Sequence, residues 1–199
     1  MTFEDVRPSR EAIQERVVLL DDFGNRIGDA NKSEIHTDCT PLHLAFSCYL
    51  FNEQGRLLLT RRALSKLTWP GVWTNSFCGH PGPGEEIEAA IHRRAGEELG
   101  AHVTNVTLID PEFRYRAIDA SGVVENEICP VYTARISGEL VPNPDEVAEA
   151  QWADVDAVIV AARSTPFAFS PWMIKQLNGL SSTIQQGSRA SASRKVVGS

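Results

Sequence analysis

Three stretches hold residue types that could do chemistry. The first, SFCGHPGPGE at residues 76–85, sets Cys78 two places before His80 in a run of glycine and proline. Such a loop can be a fragment of a metal site, a phosphate loop, a nucleophile or a plain turn. A structural zinc motif needs a second close cysteine, and Cys78 has none. The second, VENEICPV at 124–131, places Glu125 and Glu127 on one side of a strand and Asn126 on the other. Two carboxylates on one face repel each other unless a cation or proton lies between them, or unless the strand is a solvated edge. The third is a helical segment carrying Arg93, Arg94, Glu97 and Glu98, in which Arg94 stands one turn before Glu98 on the same face.

Three of the five histidines stand close to these groups or to a proline-bent segment. His36 and His43 flank Pro41, and His80 follows Cys78. Imidazole with carboxylate suits zinc, manganese or iron(II). Three histidines and two glutamates exceed the four ligands of a closed structural zinc site. His92 and His102 belong to no cluster and read as ordinary polar groups.

These groups need elements to hold them. ERVVLLD at 15–21 reads as a strand, DDFGNRIGDA as a turn and a short second strand, and 31–40 as a loop. Residues 43–51 and 56–62 are apolar strands joined by the turn NEQG. The long segment 63–85, rich in Gly, Pro and Trp, is of the kind that carries function. A helix follows over 86–99, with Ile87, Ala90, Ile91, Arg94, Ala95 and Glu98 on one face, and Gly100 stops it. Residues 103–119 and 123–136 are extended, interrupted at Pro111 and Pro130. A short helix is expected from Asp145 to Ala150, with further helices over 155–162 and 171–180. The tail 181–199, rich in Ser, Gly, Gln and Arg, is expected to be disordered. The pattern is α+β, with one domain over 1–180.

The 199 residues suffice for one sizeable core. Charged residues at 23% and apolar ones at 42% fit a soluble globular protein. No apolar run approaches the length of a membrane span, and the first ten residues show no secretory signal, so no membrane role is expected. Four cysteines without a disulfide framework suit a reducing cytoplasm. A net charge of −7 disfavours non-specific nucleic-acid binding, so an anionic ligand needs a locally basic site.

Residues 79–101 resemble the Nudix box, G-x5-E-x7-R-E-U-x-E-E-x-G-U, at Gly79, Glu85, Arg93, Glu97, Glu98 and Gly100. They depart from it at Arg94, where the box has an acid. A cation there weakens a metal cage and offers a diphosphate partner instead. TWPGVWTNSFCGHP and FRYRAIDASGVVENEICPV, with the spaced His36 and His43, resemble the type I isopentenyl-diphosphate isomerases over about residues 10–180. That resemblance implies a Nudix-like α/β/α sandwich with a mixed β-sheet. It implies interconversion of isopentenyl and dimethylallyl diphosphate, a small-molecule diphosphate substrate. It also implies one divalent metal (Mn²⁺, Zn²⁺ or Mg²⁺) at His36, His43, His80, Glu125 and Glu127. A further Mg²⁺ would bridge Glu98 and the diphosphate. Cys78 and Glu127 match the proton-transfer pair, Tyr115 a partner of Glu127, and Trp172 an aromatic wall, with Trp73 as a second wall candidate. Lys32, Arg62, Lys66 and Arg94 are candidate diphosphate cations. Two other functions fit a Nudix fold: hydrolysis of a nucleoside diphosphate derivative, and binding without turnover.

Overall fold

The structure, a computed structural model, describes residues 15–193. The expectations for residues 1–10 and for the end of the tail, 194–199, lie outside the described residues. In chain order the elements are β1 (Arg16–Leu20), β2 (Arg26–Asn31), α1 (Lys32–Ile35), β3 (His43–Leu44), β4 (Phe46–Phe51), β5 (Leu57–Arg62), β6 (Trp73–Thr74), β7 (Phe77–Gly79) and α2 (Ile87–Leu99). There follow β8 (His102–Asp110), β9 (Arg114–Ile118), β10 (Val124–Ile128), β11 (Val131–Ser137), β12 (Val147–Ala153), α3 (Val155–Ser164) and α4 (Pro171–Ser193).

β4 explains the layering. Every residue of FSCYLF is buried, as a central strand covered on both faces requires. Phe46, Cys48 and Leu50 pack with Ala90, Ile91, Ala95 and Leu99 of α2. Tyr49 and Phe51 point the other way, into a cluster with Val158 and Ile159 of α3 and Met173, Leu177 and Ile184 of α4. Each fully buried side chain of this kind contributes roughly 1.5–3 kcal/mol. The larger sheet, ordered β12-β5-β4-β11-β8, is therefore the middle layer of an α/β/α sandwich. It is mixed, since β4 runs parallel to β11 and antiparallel to β5. A second sheet, β2-β1-β3-β10-β9, extends from it.

α2 starts and stops as its sequence asks. Gly100 adopts φ 57°, and the Gly100 and Ala101 amides bond to the Gly96 and Ala95 carbonyls. A Cβ on Gly100 would lie 2.5 Å from the Val141 carbonyl oxygen, so glycine is required by space as well as by φ. At the other end, Arg93 Nε and Nη2 donate to the two carboxylate oxygens of Glu85 at 2.8 Å each, and Nη2 also donates to the His80 carbonyl at 3.2 Å. This fork fastens the loop after β7 to the helix. The bond from Arg93 holds the Glu85 carboxyl below its usual 4.5. A depressed folded-state pKa stabilises fully above the unfolded value and loses that contribution as pH falls through the folded one. Glu85→Gln is therefore expected to cost about 1 kcal/mol at pH 7, allowing for solvent screening of a partly exposed pair. In urea titrations the gap to the parent should narrow as pH is lowered past 4.5; a constant gap would remove the charge from the explanation.

Three expectations are corrected. Residues 145–150, expected as a helix, enter β12, which pairs antiparallel with β5. Alanine and glutamate are good helix formers, but propensity amounts to less than about 1 kcal/mol per residue, and pairing with the open edge of β5 outweighs it. Residues 181–193, expected to be disordered, continue α4. Buried Ile184 and the Ser188 Oγ bond to the Gly55 carbonyl dock this extension on the sheet. Residues 31–40, expected as a loop, contain the single turn of α1.

Candidate active site

The site lies where two neighbouring strands pass from one sheet to the other. β3 leads into β4 and β10 into β11, and both pairs run parallel. The change of sheet occurs at Ala45 and at Cys129–Pro130, bridged by the Ala45 N–H to Ile128 carbonyl bond (2.9 Å). Pro130, lacking an N–H, suits this break. In the resulting register His43 faces Glu127, and Glu127 faces Tyr115 on its other side.

His36, His43, His80 and Glu127 each offer a ligand atom within 4.8 Å of the others. His36 Nδ1 lies 3.2 Å from the Lys32 carbonyl and His43 Nδ1 2.9 Å from the Pro41 carbonyl. A carbonyl only accepts, so both rings carry the proton on Nδ1 and turn the Nε2 lone pair into the cluster when neutral. His43 Nε2 stands 3.3 Å from His80 Nε2, and each lies within 3.5 Å of Glu127 Oε1. Glu125 Oε2 is 3.3 Å from His36 Nε2 yet is buried without a hydrogen bond. Converging lone pairs and an orphaned carboxylate oxygen fit a divalent cation. Burial drives the His80 imidazole down to about 3, which keeps it neutral and able to ligate. Burial opposes ionisation of Glu127, but the adjacent His43 and His80 rings hold its carboxyl well below the usual range.

Around a cavity of about 150 Å³ stand Cys78, Glu127, Tyr115 and Trp172. Burial pushes the Cys78 thiol up to about 12, against the bonds from Ser47 and Asn75, so it is protonated at neutral pH. Burial, then the Glu127 charge, also keeps the Tyr115 phenol protonated. Tyr115 and Trp172 lie 5.8 Å apart, ring to ring. Trp73 does not belong to this wall. It sits in β6, packed against the core and bridged to Phe169. Trp69, also packed against that core, stands edge-on to Trp172 at 5.5 Å. The spacing of TWPGVW does not reveal which tryptophan meets Trp172, because the turn through Trp69 requires φ 44°.

Lys32, Arg62, Lys66 and Arg94 all line the same cavity. Lys32 pairs with Glu15 at 2.9 Å. Lys66 pairs with Glu146, which also lies 3.4 Å from Arg94. Arg94 Nε and Nη2 grip Glu98 Oε1 at 3.1 and 2.5 Å. Burial would lower the guanidinium pKa, but the Glu98 and Glu146 charges raise it, so Arg94 stays a cation. Arg62 donates to the Thr68 carbonyl at 3.0 and 2.8 Å and lies 5.4 Å from the Trp172 ring centre. Gly79 is what lets Arg94 in, since a Cβ there would come within 2.7 Å of Arg94 Cγ.

Sequence reasoning missed four members of this site. Thr68 donates to Glu125 Oε1 at 2.7 Å. Glu146 joins Lys66 to Arg94. Ser47 Oγ lies 3.3 Å from Cys78 Sγ, and Asn75 bonds the Trp172 indole at 2.9 Å. Ser47 sits inside an apolar strand, and a polar residue in such a run is the signal that could have found it.

Known proteins share this fold and much of this sequence. The family model described as NUDIX domain matches residues 41–173. DR0079 from Deinococcus radiodurans shares the fold, with a TM-score of 0.61 at 19% identity over 86% of this chain and 98% of that one. The chain belongs to the NUDIX family, and within it to the branch defined by the following relatives. It is 60% identical over 163 residues to the isopentenyl-diphosphate Delta-isomerase of Clavibacter michiganensis subsp. michiganensis, covering 82% of this chain and 84% of that protein. It is 57% identical over 162 residues to the isopentenyl-diphosphate Delta-isomerase of Citrobacter koseri, covering 81% and 90%.

Proposed function

We propose that this chain is an isomerase that interconverts isopentenyl diphosphate and dimethylallyl diphosphate. The observation that carries the reading is the meeting of a thiol, a carboxylate, a phenol and an indole around one cavity that four cations also line. A cavity of about 150 Å³ can hold benzene when apolar, so a five-carbon alkenyl group is within its capacity.

The reaction shifts a double bond by one carbon. A proton adds to the terminal methylene and leaves a tertiary carbocation; loss of a proton from the carbon nearer the diphosphate forms the new double bond. No net proton is gained and the diphosphate stays intact. Cys78 and Glu127 carry these two transfers, and Tyr115, beside Glu127 in the sheet, relays protons with it. The Trp172 face stabilises the cation by on the order of 2 kcal/mol in a dry site. The apolar wall excludes water, which would trap the cation as an alcohol. Lys32, Arg62, Lys66 and Arg94 bind the diphosphate; Lys32, Lys66 and Arg94 exchange their internal carboxylates for it, and Arg62 its bonds to Thr68. His36, His43, His80, Glu125 and Glu127 would hold a divalent ion (Mn²⁺, Zn²⁺ or Mg²⁺), which would favour the ionised Glu127, and Glu98 would hold Mg²⁺, which would offset diphosphate charge. The four thiols are unpaired, and we place the reaction in the cytoplasm.

Purified protein given isopentenyl diphosphate and Mg²⁺ is expected to form an acid-labile allylic diphosphate and release no phosphate. Phosphate without allylic product would favour hydrolysis; binding with neither product would favour a non-catalytic module. Arg94 weighs against hydrolysis, because a cation stands where the box carries an acid.

A further inference from the structure

Asn75 lies fully buried between β6 and β7. Its amide uses its full hydrogen-bonding capacity. Nδ2 donates to the Cys48 carbonyl at 3.2 Å and to the Phe77 carbonyl at 3.0 Å. Two acceptors on that side fix which end of the amide is nitrogen. Oδ1 therefore faces the other way, where it accepts from Thr74 Oγ1 and from Trp172 Nε1, both at 2.9 Å. Cys78 Sγ lies 3.4 Å from both amide atoms. One rigid planar group thus touches the thiol and the indole wall and is anchored to two strands.

Trp172 has a single polar atom on its side chain, and the residue is 3% exposed. Its other contacts, edge-on to Trp69, tilted to Tyr115 and under the Arg62 guanidinium, involve the ring and not its N–H. The Nε1–H bond to Asn75, at 2.9 Å, is the contact that ties the polar edge of the ring to a fixed group. We propose that Asn75 is a positioning residue that fixes the indole of Trp172 relative to the Cys78 sulfur, so that a carbocation formed beside the thiol meets the indole face. It acts through Trp172 and does not touch the substrate. The inference rests on the isomerase reading with Trp172 as the wall that faces the cation.

The test uses the full-length, metal-loaded protein and two unreactive probes. One is an alkyl diphosphate with an ammonium at the branch position, and the other is its neutral saturated counterpart. The parent is expected to favour the ammonium probe by at least about tenfold. In Asn75→Ala that preference should fall by about tenfold, with affinity for the neutral probe within about twofold of the parent and kcat reduced far more than KM is changed. Trp172→Phe keeps a ring but loses the N–H, and it leaves the buried amide in place should Asn75→Ala not fold. It should lose the preference too, and the double variant should lose no more than the larger single loss. Retention of the preference in Asn75→Ala or Trp172→Phe, or fully additive losses in the double variant, overturns the inference while leaving the isomerase reading intact. A parent that does not discriminate between the probes overturns both.

Discussion

Cys78→Ala is expected to lower kcat by about 10³-fold or more, the scale of a positioned acid–base group, while diphosphate binding changes little. The argument is geometric. The sulfur lines the cavity, and it is held by Ser47 Oγ at 3.3 Å and by the Asn75 amide at 3.4 Å. None of the four cations bonds to it; Lys32, Lys66 and Arg94 are engaged with carboxylates and Arg62 with Thr68. Removing the sulfur deletes one proton carrier and leaves the anion site whole. Alanine is also smaller than cysteine and apolar, so the cost in stability should be modest. Turnover measured by allylic product, alongside calorimetry with inorganic diphosphate and Mg²⁺, separates the two effects. Turnover within tenfold of the parent would take Cys78 out of the mechanism; weakened diphosphate binding would place it in the anion site instead.

The second large effect concerns the histidine cluster. His43→Ala is expected to abolish stoichiometric metal binding and to reduce turnover by at least about 100-fold, beyond the 10–100-fold typical of groups that only orient a ligand. His43 is fully buried, anchored by its Nδ1–H to Pro41, and paired in register with Glu127. Its loss removes both a ligand and one of the two imidazoles that hold the Glu127 carboxylate. Chelation of the parent should give a similar loss, restored by adding back one of Mn²⁺, Zn²⁺ or Mg²⁺. Metal content by elemental analysis provides the readout independent of activity. Full turnover in protein shown to be metal-free would sink the assignment of this cluster.

Much of the site was legible because its residues violate the pattern around them. Two glutamates on one strand face and histidines beside a proline are costly unless something uses them. Gly79 and Gly100 bracketing a helix with Arg93, Glu97 and Glu98 are similarly specific. The errors lie where local preference and tertiary context disagree. Residues 145–150 have a helix-like composition, yet the free edge of β5 recruits β12. Residues 181–193 look polar, yet Ile184 finds the core and Ser188 finds Gly55. Trp73 and Trp69 are equivalent in sequence, and only the backbone turn decides which ring reaches Trp172. Thr68, Glu146 and Asn75 were missed because Thr, Glu and Asn occur everywhere on protein surfaces; their meaning comes from what they touch.

By itself the sequence determined the chemistry available: a lone thiol, a carboxylate pair, three imidazoles, and a helix carrying an acid beside a cation. It also determined that residues 43–51 and 56–62 are apolar strands joined by the turn NEQG, while the place of FSCYLF at the centre of the sheet came from the structure. Only the tertiary structure decided that these groups meet. Strand periodicity says which face a side chain occupies and nothing about which strand lies alongside. The parallel pairing of β3 with β10 joins distant parts of the chain, and loop closure between them leaves no local mark on the sequence. That pairing sets His43 against Glu127, the change of sheet after it brings Cys78 to the same cavity, and the lone thiol of the glycine loop thereby acquires a carboxylate partner.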